Sequence, residues 1–102
     1  MKLRKFELKQ TDGAPYSELL DVIMSGGSTS DEIVKAVSIG ARAEEAKDGV
    51  LWLSQEEHSF LLKRLNATTW NSTPANRKTI AEFIAYLREL KEEAVEVKGA
   101  NA

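Results

Sequence analysis

A chain of 102 residues, 42% hydrophobic and 29% charged, holds enough apolar material for one small core, and this composition excludes a disordered polypeptide. Fourteen Lys and Arg against sixteen Asp and Glu leave a formal charge of -2, which argues against a surface built around nucleic-acid phosphates. The absence of cysteine excludes disulfides, thiolate ligands and a cysteine nucleophile, and is compatible with a reducing cytoplasm.

The first ten residues alternate charge and hydrophobe without the apolar stretch of a secretion signal, and no run in the chain is long enough to span a bilayer. A cytoplasmic protein with no membrane partner is expected. Within Lys2 to Lys9, Arg4, Phe6 and Leu8 share one parity, as in a short strand with one apolar face. Thr11, Asp12, Gly13, Ala14 and Pro15 end it in a turn. Ser17 is placed to cap a brief helix carrying Leu19, Leu20, Ile23 and Met24, and Ser25, Gly26, Gly27 and Ser28 break it.

Thr29 and Glu32 have capping-box spacing, so a second helix is expected from Ser30, with Ile33, Val34, Val37 and Ala41 as its buried stripe and Gly40 weakening its second half. After a turn at Lys47, Asp48 and Gly49, the run Val50, Leu51, Trp52 and Leu53 reads as a strand that pairs with the first. Ser54 and Glu57 form a second capping box. The third helix buries Phe60, Leu61, Leu62 and Leu65, keeps Lys63 and Arg64 in its last turn, and leaves His58 facing solvent or partly packed.

The clearest element has Thr73 as cap, Pro74 at the first helical position, and Ile80, Phe83, Ile84, Leu87 and Leu90 on one face, with Arg88 to Glu92 and Glu89 to Glu93 as exposed pairs one turn apart. The expected fold is α+β and mainly helical: about four helices and a small two-stranded antiparallel sheet in one domain, residues 1–94, with 95–102 a disordered tail.

No catalytic, metal or cofactor motif stands out. A single histidine cannot build a histidine-rich metal site, and the neighbouring acids Glu44 with Glu45 and Glu92 with Glu93 do not face each other as catalytic carboxylates must. Gly26 and Gly27 precede a helix but lack the lysine of a phosphate-binding loop, so a linker is the simpler reading. No catalytic residue, metal ligand or cofactor is assigned, and no enzymatic activity is expected.

The opening MKLRKFELK, the central EEAKDGVLWLSQEEHSFLLKRL and the closing IAEFIAYLREL together resemble small accessory proteins of tailed bacteriophages and prophages over residues 1–90. The resemblance implies a bacterial cytoplasm and a binding role in virion assembly or in control of phage or host, and implies no catalytic residues. The leading functional expectation is a protein-binding module, acting on a protein partner or as a homo-oligomer. Its candidate interface is Val50, Trp52 and Trp70: both faces of the Val50 to Leu53 strand are apolar, a small domain covers one of them readily, and tryptophan is enriched where binding energy concentrates. The alternative is a helix-turn-helix DNA-binding regulator. Its recognition helix would hold only Lys35, Arg42 and Lys47 against Asp31, Glu32, Glu44 and Glu45, an unfavourable balance for reading bases and phosphates.

Overall fold

The structure is a computed structural model and describes residues 2–11, 13–25, 29–46, 48–71 and 73–94. It is α+β and mainly helical. In chain order the elements are strand β1 (Lys2–Glu7), helices α1 (Tyr16–Met24) and α2 (Ser30–Glu45), strand β2 (Val50–Leu53), helices α3 (Gln55–Ala67) and α4 (Arg77–Arg88), and strand β3 (Glu92–Ala94). The expected tail 95–102 and the glycine pair Gly26 and Gly27 lie outside the described residues.

The expected pairing of β1 with β2 is present: the strands are antiparallel, with Phe6 opposite Leu51 and Lys5 opposite Trp52. Side chains alternate across a strand, so Phe6, Leu51 and Leu53 enter the core while Lys5 and Trp52 share the other face. β3 adds to this pair. It joins the free edge of β1 to give the order β2-β1-β3, with Lys2 opposite Ala94 and Arg4 opposite Glu92. The expectation of Arg88–Glu92 and Glu89–Glu93 pairs on a continuing last helix is therefore corrected, because α4 ends at Arg88. An unpaired strand edge offers backbone donors and acceptors, and Glu92 to Ala94 satisfy them in extended form.

The core gathers Phe6, Tyr16, Leu20, Ile23, Leu51, Leu53, Leu61, Phe83 and Leu87 with the other buried apolar side chains of every helix. Its aromatic part is centred on Phe6 and Phe83, whose rings lie 6.1 Å apart in an edge-to-face arrangement; Tyr16 packs 5.2 Å from Phe83 and Tyr86 5.3 Å from Phe6. Burial raises the Tyr16 phenol above its ordinary pKa, with Glu82 adding to the effect. Ile80, Phe83 and Leu87 of α4 enter this core as expected, Ile84 is half-buried against it, and Leu90 is buried two residues beyond the end of the helix.

Both capping boxes form. Thr29 Oγ1 accepts from the Glu32 amide at 3.3 Å while Glu32 Oε1 accepts from the Thr29 amide at 3.0 Å, and Ser54 with Glu57 repeats the exchange at 3.1 and 2.9 Å. Thr73 makes a similar exchange with Asn76, closing the Pro74 to Asn76 turn that leads into α4, so the regular helix starts three residues later than expected. Ser17 is not the cap of α1. Pro15 holds that position, and the first amide of the helix, that of Tyr16, donates to the Lys9 carbonyl at 3.0 Å, which places the Tyr16 side chain in the core.

Two side chains of α3 close the ends of other helices. Arg64, placed by the sequence as a dipole partner of its own helix, is buried and donates from Nε to the Ile23 carbonyl at 3.0 Å and from Nη2 to the Ser25 carbonyl at 2.6 Å. His58 does not face solvent. It is 5% exposed, and Nε2 donates to the Leu87 carbonyl at 2.7 Å, which fixes that nitrogen as the protonated one. Arg4 of β1 completes the same end of α4 by donating to the Leu90 carbonyl and to Gln55 Oε1.

Arg64→Ala is expected to cost about 2–3 kcal/mol in urea denaturation, because the charged donor is lost and two carbonyls at the end of α1 are left without it. Gly40→Ala is expected to act in the opposite sense. A Cβ at Gly40 meets nothing within 4 Å inside α2, so the variant should gain about 0.5–1 kcal/mol of helix stability in the same measurement.

Candidate functional site

Val50 and Trp52 lie on the face of β2 away from the core, and both are half-buried. Their shield comes from within the chain: Arg42 of α2 donates from Nη1 to the Trp52 carbonyl at 3.1 Å, and a shallow cleft lined by Arg42, Glu45, Ala46, Val50 and Trp52 runs between α2 and β2. Trp70 lies elsewhere. It stands between α3 and α4, half-buried, with its ring 6.2 Å from Phe83 and nearly perpendicular to it. The structure thus brings Val50 and Trp52 together and leaves Trp70 at the edge of the aromatic cluster.

The most exposed large apolar side chains belong to α2. Ile33, Val34 and Val37 are 54%, 69% and 66% exposed, and Ala41 is exposed beside them. This corrects the expectation that these four form the buried stripe of the helix. Ile39, fully buried, together with Ala36 and Ala43, forms the side that packs on the rest of the fold. Two alanines beside one isoleucine let the helix approach closely, and polar ties then hold that side inward.

Those ties use every described cation of α2. Lys35 Nζ lies 2.9 Å from Glu56 Oε1, and Arg42 is paired with Glu57 Oε2 on α3. The hydrogen bond with Glu56 holds the Lys35 ammonium above its ordinary pKa. Its contribution is complete below the unfolded pKa and is lost as pH rises through the folded one. Glu32 turns the same way: its Oε2 accepts no hydrogen bond, with Lys63 Nζ 3.8 Å away, and its carboxyl is held below the ordinary range, chiefly by the Thr29 amide. That contribution is present above the unfolded pKa and is lost as pH falls through the folded one.

The outer face of α2 therefore carries Ile33, Val34, Val37 and Ala41, followed by the exposed acids Glu44 and Glu45, while Asp31 lies toward Lys35 on the other side of the helix. This is an apolar strip with acids at its C-terminal end. A helix that reads DNA presents Arg, Lys, Asn or Gln outward, and α2 presents none of these among its fully exposed positions. Among the described residues no group of three or more His, Asp or Glu is placed to hold a metal ion, and no helix is long and apolar enough to cross a membrane.

The signal that singles out this strip is present in the sequence as helical spacing. Spacing identifies an apolar face but carries no information about which of two faces is covered when alanines line the other.

Trp52→Ser is expected to lower stability by about 1–2 kcal/mol in chemical denaturation, because a half-buried large apolar side chain lining the cleft between α2 and β2 is lost. An unchanged midpoint accompanied by loss of association would instead assign Trp52 to an interface. No protein-family model, curated protein or solved structure matches this chain.

Proposed function

We propose that this chain is a non-enzymatic protein-binding module. The observation that carries the reading is the strip of Ile33, Val34 and Val37, three β-branched side chains that a 16-residue helix holds in solvent. Apolar groups left in water on a rigid helix are a cost in the free protein that a partner removes by covering them. The three side chains together expose on the order of 300 Å², the size of patch that on a small monomer is often functional. The resemblance of the sequence to small accessory proteins of tailed phages supports a partner among phage or bacterial host proteins, met in the cytoplasm during virion assembly or in control of phage or host.

The test is the double variant Val34→Ser/Val37→Ser. Both positions are exposed, so its unfolding free energy should stay within about 0.5 kcal/mol of the parent. Affinity purification from the native cell, read by quantitative mass spectrometry and paired with light scattering, should show a partner or a self-associated form with the parent and neither with the variant. A parent that is strictly monomeric and co-purifies with the same proteins as the variant would overturn the reading.

A further inference from the structure

We infer that the outer face of α2 receives an amphipathic helix with a basic flank, whose apolar seam lies on Ile33, Val34 and Val37 and whose lysines or arginines reach Glu44 and Glu45. The inference rests on the reading of the chain as a protein-binding module and names the chemistry of the partner.

The argument begins with how α2 divides its charges. Around the helix axis at 100° per residue, Ile33, Val37, Ala41 and Glu44 fall within one quarter turn, with Val34 and Glu45 along one side of that line. Lys35 and Arg42 lie on the side facing α3 and β2, where Glu56, Glu57 and the Trp52 carbonyl hold them. Asp31, about 160° around the axis from Ile33, lies on the cation side beside Lys35, whose charge it helps to hold, whereas Glu44 and Glu45 are exposed at the C-terminal end of the strip. Two negative charges thus close one end of the apolar strip, and the cations of the same helix are already engaged.

That pattern selects among occupants. A second copy of this chain docked α2 against α2 gains nothing from these acids in either direction: a parallel pair stacks Glu44 near Glu44, and an antiparallel pair offers Glu44 and Glu45 no cation of α2, since Lys35 and Arg42 are held by Glu56 and Glu57. The apolar area is also well short of the ~800 Å² per partner that a standard stable interface covers. Nucleic acids and anionic membrane surfaces meet the same repulsion. A single basic helix fits both limits, since it needs only a narrow seam and its cations gain from Glu44 and Glu45 at the end of the strip. The strip from Ile33 to Glu44 is about 16 Å long, or three helical turns, which sets the length of seam that the partner must supply.

The probes are two capped peptides of about 18 residues with the same leucine seam, one flanked by lysine and one by glutamate, titrated into the full chain by isothermal calorimetry. The lysine peptide is expected to bind at least about tenfold more tightly than the glutamate peptide, with an affinity that falls as salt rises. Glu44→Lys/Glu45→Lys should reverse the ranking, and Val34→Ser/Val37→Ser should weaken both peptides about tenfold. Equal binding of the two peptides, a ranking unaffected by the Glu44 and Glu45 reversal, no binding up to about 1 mM, or self-association through α2 would each overturn the inference. If any of these occurs while Val34→Ser/Val37→Ser still abolishes partner capture in the cell, the basic helix is rejected and the binding module stands; if capture also survives that variant, both fall.

Discussion

The last carbonyls of an α-helix have no partner within the helix, and this fold depends on how α3 supplies donors to two of its neighbours. Arg64 spans the end of α1 at Ile23 and Ser25, and His58 reaches the Leu87 carbonyl near the end of α4. These bonds are directional where the core around them is not. Apolar contacts among Phe6, Tyr16, Phe83 and Leu61 hold the elements together, whereas the two donors of α3 set where along its neighbours each contact falls. Arg4 then ties β1 to the same end of α4, so the chain leaving Leu90 is directed along the free edge of β1, where β3 forms.

α2 is attached by different means. Its inward face is one buried isoleucine and two alanines, and its remaining ties are ion pairs to α3 and a hydrogen bond to β2. Partly exposed ion pairs contribute little to stability, commonly under about 1 kcal/mol each, so their main effect is to orient the helix. Orientation is what matters for function here. Drawing Lys35 and Arg42 toward α3 turns Ile33, Val34 and Val37 outward and leaves Glu44 and Glu45 at the end of the strip. One set of pairings thereby exposes the apolar groups and determines the sign of the charge around them.

Much of the architecture was legible in the residues because it depends on neighbours within one or two turns. The capping boxes at Thr29 with Glu32 and Ser54 with Glu57 need only residues three apart, and the stripe of Ile80, Phe83 and Leu87 follows from helical spacing alone. The pairing of β1 with β2 was legible because both runs carry β-forming residues and the chain offers few other strands. The site was only half legible: an apolar stripe on α2 could be read, but its direction could not. Trp52 and Trp70 stood out as tryptophans and Val50 as the neighbour of Trp52 on one strand face, and the structure places all three half-buried.

The sequence by itself therefore determined where α2 and α3 begin, that Ile80, Phe83 and Leu87 of α4 enter the core and that the fold is α+β, since each follows from local hydrogen bonding and periodicity. Only the tertiary structure decided that His58 and Arg64 serve carbonyls 29 and 41 residues away, that Glu92 to Ala94 form a strand rather than helix, and that α2 buries Ile39 in place of Ile33 and Val37. The physical reason is the same in each case: a side chain with two possible surroundings takes the one in which distant backbone groups and charges are also satisfied, and those partners are not encoded in the residues beside it.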